Sequence, residues 1–273
     1  RDFLKAVDQH AFLDSLFSLS FAFGESWASK RARIKSSSPA GDKKGWDLVS
    51  VIVKSNDDLR QEVCALQLVS LCKSIFRRAQ LELFLQPYLI ISTGNRTGLL
   101  QTLTDTMSLD ALKKATEGAT LLGHFRISYG KTSSKEFKTA QKKFARSLAA
   151  YSLLCYIFQI KDRHNGNILL DTEGRIINID FGYMLGIAPG GQFSIETSAF
   201  KLTSDMVSVM GGLESRCFVD DFVVPFTCGF MALQKDKNQL IELVKIMMDY
   251  SPFPCFQGKD SQAILCKLEN RFA

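Results

Sequence analysis

Apolar residues recur at helical spacing in several long segments of this chain. The two longest predicted helices are roughly Asp58–Ala79 and Phe137–Ile160. The second is almost continuously apolar after Ala145, so we expect it to be buried. Shorter helical patterns lie at Gly24–Arg33, Ala199–Met210, Phe218–Leu233 and Lys237–Tyr250.

Shorter apolar runs, bounded by Gly, Pro, Asn and Asp, predict strands. They are Trp46–Lys54, which we expect to be largely buried, Pro87–Ser92, Gly98–Asp105, and the hairpin arms Ile168–Leu170 and Arg175–Ile179. Three of the five predicted strands lie before residue 106, and the chain becomes mainly helical from Met107 onward, so the predicted fold class is α+β with two lobes. We assign residues 24–106 to a strand-bearing first lobe, 107–273 to a larger helical second lobe, and 1–23 to a helical lead-in without an assigned role.

Composition narrows the class of protein. Hydrophobic residues make up 46% of the 273 residues, which is enough for a sizeable core. The net charge of +6 fits anionic partners such as nucleotides or a membrane surface and falls short of a nucleic-acid-binding signature. Seven cysteines without a C-x-x-C pair predict reduced thiols. The apolar stretch Ala11–Phe23 is too short to span a bilayer and is predicted to be an amphipathic helix.

The predicted hairpin brings polar side chains to one end. Asn167 and Asp180 are equally distant from the centre of its turn, so strand pairing should place them side by side. A carboxylate and an amide oxygen suit Mg²⁺, which commonly shares its oxygen ligands with nucleotide phosphates. We therefore predict a site for ATP with Mg²⁺, or with Mn²⁺ as the alternative ion.

Asp162 and His164 lie at the same end of the hairpin. Either side chain could take a proton from a hydroxyl group that approaches a metal-bound phosphate. Asp180-Phe181-Gly182 is the D-F-G of kinases, and its combination with D-R-H-x-x-N thirteen residues before Asp180 is far more specific than D-F-G alone. The alternative, that these polar residues only cap turns, suits His164 better than the set as a whole.

A lysine and a glutamate in the first lobe have the spacing of a phosphate-binding pair. Lys54 ends a predicted strand, and Glu62 lies one turn into the helix that follows. A carboxylate can hold such a lysine in the cleft, where it binds nucleotide phosphates. A surface ion pair is the alternative.

The strings VSVIVKSNDDLRQE, KDRHNGNILLD and INIDFG resemble the phosphatidylinositol 3- and 4-kinase superfamily. ETSAFKLT, VMGGL and PCFQG look most like the catalytic domain of type III phosphatidylinositol 4-kinases, of the beta form. The resemblance runs from about Phe23 to Phe272. It implies a two-lobed, protein-kinase-like fold and transfer of the ATP γ-phosphate to the 4-hydroxyl of phosphatidylinositol.

The resemblance also implies roles for individual residues. Lys54 would bind phosphate with Glu62 as its partner, and Tyr88 would lie at the back of the adenine pocket. The adenine-contacting backbone would come from Leu103. The remaining roles are the apolar floor for Leu169 and Ile179, the catalytic loop for Asp162 and His164, and the metal site for Asn167 and Asp180.

The segment Phe181–Lys201 corresponds to the loop that selects the lipid head group. Recognition of ring phosphates needs clustered Lys or Arg, and this loop has no basic residue before Lys201. We therefore expect an inositol lipid without ring phosphates, with Lys201 at the head group. In the family, strands that cover the ATP phosphates precede the equivalent of Trp27. Arg1–Phe23 does not resemble them, and we expect the chain to stop before the family's final helices.

Three other functions are alternatives to a phosphatidylinositol 4-kinase. A phosphatidylinositol 3-kinase acting on unphosphorylated lipid fits the same loop. A catalytically incompetent kinase fold that serves as a binding module fits an incomplete first lobe. A Ser/Thr protein kinase would need G-x-G-x-x-G, H-R-D order and A-P-E, none of which occurs.

The resemblance also bears on partners and location. A lipid substrate implies a cytoplasmic protein that binds membranes peripherally, without nucleic acid as a partner. The likeness suggests the Golgi, with small GTPases or adaptor proteins binding regions outside this chain.

Overall fold

The computed structural model describes residues 23–116, 118–191, 196–249 and 251–273. The predicted lead-in, apart from Phe23, lies outside the described residues. The nine α-helices of the described ranges are α1 Trp27–Ser37, α2 Arg60–Arg78, α3 Leu109–Ala115, α4 Leu121–Tyr129, α5 Lys135–Phe158, α6 Ser204–Val209, α7 Val224–Lys235, α8 Lys237–Met248 and α9 Ser261–Glu269. Asn165–Asn167 and Asn270–Phe272 form 3₁₀-helices, and Cys217–Val223 forms a π-helix.

In the part of the chain that the structure describes, six strands form two antiparallel sheets of three strands each. They are β1 Val51–Ser55, β2 Ile90–Gly94, β3 Thr97–Gln101, β4 Thr106–Ser108, β5 Ile168–Asp171 and β6 Ile176–Asn178. The strand orders are β1-β3-β2 and β4-β5-β6. The chain passes from the first sheet to the second between Gln101 and Thr106, next to the predicted lobe junction. An α+β architecture is confirmed, whereas the bounds of the two lobes stay a prediction.

The second sheet packs on α5, the buried helix that the apolar pattern predicts. Ser134 begins this helix by accepting a hydrogen bond from the Phe137 N–H (3.2 Å), and Gln159 ends it in a left-handed conformation (φ 51°). The turn of the β5–β6 hairpin lies directly against α5. A Cβ at Gly174 would come within 3.1 Å of the Ala140 carbonyl oxygen, and its φ of +85° also favours glycine. The hairpin is therefore built on the most buried of the helices that the structure describes.

Three sequence predictions were wrong in their boundaries. Residues 35–37, predicted as loop, continue helix α1. The helix predicted from Ala199 begins only at Ser204, because Thr203 caps it by accepting from the Met206 N–H (3.3 Å). The helix predicted at Phe218–Leu233 is divided between the π-helix and α7, with Pro225, which has no N–H to donate, in the first turn of α7.

The largest error concerns the strand predicted at Trp46–Lys54. Only Val51–Ser55 is strand, and it is exposed rather than buried: Val53 has 74% of its surface accessible. β1 is an edge strand that pairs with β3 alone. Its β-branched residues therefore adopt strand geometry but remain exposed to solvent. Strand conformation and burial are separate properties here.

One helical stretch in the described ranges, Cys217–Lys235, is long and apolar enough to cross a membrane by length and composition alone. Such stretches are weak evidence, since helices of soluble proteins meet the same test. This one packs against α5, and its Asp221 pairs with Arg146 on that helix at 3.0 Å.

Candidate active site

The β5–β6 hairpin carries the polar residues at its open end, as predicted, but its register differs by one residue. Ile168 pairs with Asn178, and the Ile179 N–H donates to the Asn167 carbonyl (3.1 Å). Asp171 closes the turn by accepting from the N–H groups of Glu173 and Arg175, which leaves a three-residue loop centred on Glu173. Asn167 is therefore opposite Ile179, and Asp180 follows one residue beyond the pair.

Asp162 and Asp180 both have left-handed backbones, with φ values of 62° and 60°. Such conformations are uncommon outside glycine and are often found at functional sites. Arg163 holds the two segments together: its buried guanidinium donates to the carbonyl groups of Lys161 (2.9 Å), Ile179 (2.7 Å) and Asp180. The same guanidinium lies 5.6 Å from the centre of the Phe181 ring. One arginine thus fixes the catalytic loop against the D-F-G segment.

Asp162, His164 and Asn167 are brought together in that loop. The Asn167 amide nitrogen donates to the Asp162 carbonyl (3.0 Å) and lies 3.4 Å from its Oδ2. His164 Nε2 is 3.9 Å from the same Oδ2, and the imidazole is exposed. Its Nδ1 accepts from the Gly166 N–H (3.0 Å), so the neutral ring carries its proton on Nε2. Asp162 and an exposed His164 are thus both available to an acceptor hydroxyl.

The donor atoms fit a magnesium ion that shares its ligands with phosphate. Because the Asn167 nitrogen is engaged by Asp162, its Oδ1 oxygen is the atom that can face a cation. Asp180 is exposed, and its Oδ1 accepts only a long bond from the Gly182 N–H (3.3 Å). Within the described ranges no group of three or more His, Cys, Asp or Glu side chains could form a metal cage. Mg²⁺ held by one or two protein oxygens and nucleotide phosphates does not need one.

Lys54 has a different direct partner from the one predicted. Its Nζ is 3.2 Å from Asp57 Oδ2, while Glu62 interacts with it through space. Burial lowers the pKa of Lys54, but the carboxylates of Glu62, Asp57 and Asp180 outweigh that effect and raise it. Lys54 therefore stays protonated, and its ammonium group offers a positive charge that anionic phosphates could contact.

Tyr88 links Glu62 to the D-F-G segment. Its buried hydroxyl donates to Glu62 Oε1 and accepts from the Asp180 N–H (3.4 Å). Burial raises the pKa of Glu62, although the Tyr88 hydrogen bond and the Lys54 charge oppose that rise. The predicted contact of Tyr88 with adenine stays a prediction.

The predicted apolar residues of the nucleotide pocket are half-buried. Leu103, Leu169 and Ile179 each pack against the core while leaving part of the side chain accessible. The Leu103 carbonyl accepts a hydrogen bond from the Thr106 hydroxyl (2.7 Å). Their contact with adenine stays a prediction.

The described residues of the segment from Phe181 to Lys201 make several hydrogen bonds with the catalytic loop, one of them from the Lys161 N–H to the Tyr183 carbonyl (2.9 Å). Glu196 accepts from the Asp162 N–H (3.0 Å), the Ser198 carbonyl accepts from Lys161 (2.6 Å), and Lys201 donates to Asn165 Oδ1 (2.7 Å). Burial lowers the pKa of Lys201, Arg163 adds to that effect, and Glu196 opposes it. Lys201 is thus tied to the loop that carries Asp162.

A cavity of about 360 Å³ lies beside this contact. Asn165 and Lys201 form one side, and Thr120, His124 and Asp205 contribute elsewhere to the lining. Burial lowers the pKa of His124 to about 4, so the ring is neutral near pH 7. The lining combines hydroxyl, amide, imidazole and carboxylate groups with lysine, as a polyhydroxylated ligand would require.

The sequence did not point to several residues that organise the site. Arg163, Asn165 and Glu196 act through contacts with residues distant along the chain, as does Gln61, whose side chain reaches the D-F-G backbone. Arg163 stands inside the D-R-H motif and could have been suspected. Nothing at residues 61, 165 or 196 alone indicates a long-range partner.

The family model described as phosphatidylinositol 3- and 4-kinase matches residues 48–127 and 111–257. A phosphatidylinositol 4-kinase of Dictyostelium discoideum is 47% identical over 251 residues, covering 92% of this chain and 21% of that protein.

Two further relatives have similar names. Phosphatidylinositol 4-kinase beta 1 of Arabidopsis thaliana is 46% identical, covering 86% of the chain and 21% of the relative. Phosphatidylinositol 4-kinase beta of Danio rerio is 41% identical, covering 92% and 29%. The chain thus spans less than a third of the length of these relatives. Since the family model matches well over half of it, the chain belongs to the phosphatidylinositol 3- and 4-kinase family.

Proposed function

We propose that the protein containing this chain is a lipid kinase that transfers the γ-phosphate of ATP to the 4-hydroxyl of phosphatidylinositol. The observation that carries the proposal is the constellation at the open end of the hairpin, with Asp162 and His164 beside Asn167 and Asp180. Arg163 orders the loops around them. Three relatives of 41–47% identity are named phosphatidylinositol 4-kinases, which favours the 4-hydroxyl over the 3-hydroxyl.

ATP and a divalent cation are the expected cofactors of a kinase family. Asn167 and Asp180 are the residues that would hold Mg²⁺, which neutralises phosphate charge when bound. Lys54 would contact the phosphates, and Leu103, Leu169, Ile179 and Tyr88 would surround adenine. Asp162, with His164 3.9 Å away, would receive the proton of the attacking hydroxyl.

An unphosphorylated inositol ring suits the segment before Lys201. Lys201 is the first basic residue after Gly182, and its ammonium group is shared with Asn165. Ring phosphates would require a cluster of such charges. We therefore propose that Lys201 and the adjoining cavity contact the hydroxyl groups of the ring. Phosphatidylinositol resides in membranes, so a peripheral position on a membrane, with the Golgi as the expectation from the family likeness, is part of the proposal.

Product analysis on the complete natural polypeptide tests the function. Incubation with phosphatidylinositol vesicles and Mg²⁺-ATP should yield the 4-phosphate. Recovery of the 3-phosphate would favour the 3-kinase alternative. Binding of Mg²⁺-ATP without any lipid product would contradict the proposal, and absence of nucleotide binding would favour a catalytically incompetent binding module.

Substitution Lys201→Ala tests the head-group role. We expect the KM for phosphatidylinositol to rise about tenfold, while the KM for ATP changes little, because one charge-assisted hydrogen bond is lost. Lys114→Ala is the control, because this exposed lysine pairs with Asp110 and is not among the residues that line the cavity. An equal rise in both variants, or none, would remove Lys201 from the head-group site.

A further inference from the structure

The backbone from Ile179 to Gly182 is held at four consecutive carbonyl groups by two side chains. Arg163 donates to the first two, Ile179 (2.7 Å) and Asp180. Gln61 Nε2 donates to the next two, Phe181 (3.3 Å) and Gly182 (2.7 Å). Because each peptide plane is held on its carbonyl side, the segment cannot rotate without breaking at least one of these hydrogen bonds.

Gln61 belongs to a different part of the molecule from the segment it holds. It lies in the first turn of α2, next to Glu62, and is separated by 121 residues from Gly182. Its Oε1 accepts from the N–H of Cys255 (3.1 Å), which is 194 residues away. The side chain is 4% exposed, so its donor and acceptor atoms are all satisfied within the protein. A buried amide is costly without partners, and this one joins three distant segments.

We propose that Gln61 is a positioning residue for the Asp180 carboxylate. This inference rests on the proposed function. Asp180 has φ 60°, a conformation that persists only when its surroundings enforce it. Arg163 fixes the two peptide groups that flank Asp180, and Gln61 fixes the next two along the chain, through the carbonyl groups of Phe181 and Gly182. Asp180 is thereby kept aimed at the metal position, and the turn at Cys255 is coupled to that position through the same amide.

The turn at Cys255 is itself ordered. The N–H groups of Phe256 and Gln257 donate to the Phe253 carbonyl at 2.9 and 2.8 Å, and Cys255 is 1% exposed. The third anchor of Gln61 is therefore a compact turn rather than a loose loop. Partners of metal ligands that orient them commonly change metal affinity by about 10–100-fold when removed.

Two substitutions separate positioning from packing. Gln61→Met keeps the length of the side chain but removes all three hydrogen bonds. Gln61→Glu keeps the shape and the acceptor for Cys255 but removes both donors to the D-F-G segment. Gln67 lies on the same helix and is exposed, so Gln67→Met and Gln67→Glu repeat the same chemical changes away from the site.

The readout is the thermal stabilisation by ATP, measured against Mg²⁺ concentration on the complete natural polypeptide. We expect the midpoint Mg²⁺ concentration to rise at least about tenfold for both Gln61 variants and to stay unchanged for the Gln67 variants. The shift produced by ATP without metal should persist. In Gln61→Glu the midpoint should partly recover at lower pH, because a protonated carboxyl regains one donor.

An Mg²⁺ midpoint that stays unchanged in Gln61→Met and Gln61→Glu would overturn the inference. So would a loss of melting temperature in both Gln61 variants that leaves the midpoint where it is, since that result describes packing alone. The lipid product does not enter this comparison. A 3-phosphate product would refute the proposed regiochemistry, and the Gln61 and Gln67 variants would still decide the positioning role.

Discussion

The two sheets of this protein have the same number of strands and the same antiparallel pairing but very different surroundings. In β1, Val51, Ile52 and Val53 are each at least 48% exposed, whereas β6 is buried along its whole length. The second sheet packs on α5 and carries the polar residues at its open end. The candidate site thus lies on the sheet with a packed support, where a core holds the strands that lead to Asn167 and Asp180.

The largest expected effect concerns the open end of the second sheet. Asp180→Asn keeps the side-chain shape but removes the charge offered to Mg²⁺, so we expect turnover to fall at least about a hundredfold with little change in melting temperature. Asp110→Asn, at an exposed ion pair with Lys114, is the control. Undiminished turnover in Asp180→Asn would refute the metal role.

One truncation in each sheet tests whether the two sheets differ in their contribution to stability. Leu170 is completely buried, and Leu170→Ala should lower the free energy of unfolding by about 3 kcal/mol through lost burial and a cavity. Val53 is 74% exposed, and Val53→Ala should cost less than about 1 kcal/mol. Denaturant unfolding of both variants measures the difference. Equal losses would mean that the first sheet is covered in solution.

The stability of the protein at acid pH provides a further test, because the helical part buries an ionisable imidazole ring. His124 is 3% exposed, and burial lowers its pKa from 6.5 to about 4. As the pH falls through 6.5 the unfolded chain gains a proton that the folded chain takes up only near pH 4, so stability decreases across that window. The decrease is roughly 3 kcal/mol.

His124→Phe should remove this pH dependence, since phenylalanine cannot titrate and the ring already packs beside Phe23 and Phe125. Denaturant unfolding at several pH values between 4 and 7 compares the variant with the wild type. The same loss of stability in both proteins would mean that His124 is not responsible for it.

Much of the helical part could be predicted from the sequence. The predicted Phe137–Ile160 helix agrees with Lys135–Phe158 to within two residues at each end, because a long apolar run without Gly or Pro has few alternatives to a buried helix. The β5–β6 hairpin was predicted from two short apolar runs that are separated by a polar turn. Its register was wrong by one residue, because Asp171 accepts two backbone N–H groups and selects a three-residue loop.

The first lobe was predicted less well. A run such as Val49–Val53 is equally apolar whether it faces a core or solvent, so its burial depends on what packs against it. The partner of Lys54 was also ambiguous, because Asp57 and Glu62 both lie within reach along the chain. The structure gives Lys54 a hydrogen bond to Asp57 and gives Glu62 one from Tyr88.

The chemistry could be predicted from the sequence alone. It is indicated by the D-R-H-x-x-N and D-F-G motifs, by their placement on a predicted hairpin, and by the scarcity of basic residues before Lys201. These properties reside in short segments whose residues act close to where they stand. How the segments are held is visible only in the folded structure. Arg163 donates hydrogen bonds to two consecutive backbone carbonyl groups, and Gln61 donates to the next two. Arg163 and Gln61 are separated from their partners in other segments by 16 to 194 residues along the chain. Only folding brings such residues within hydrogen-bonding distance.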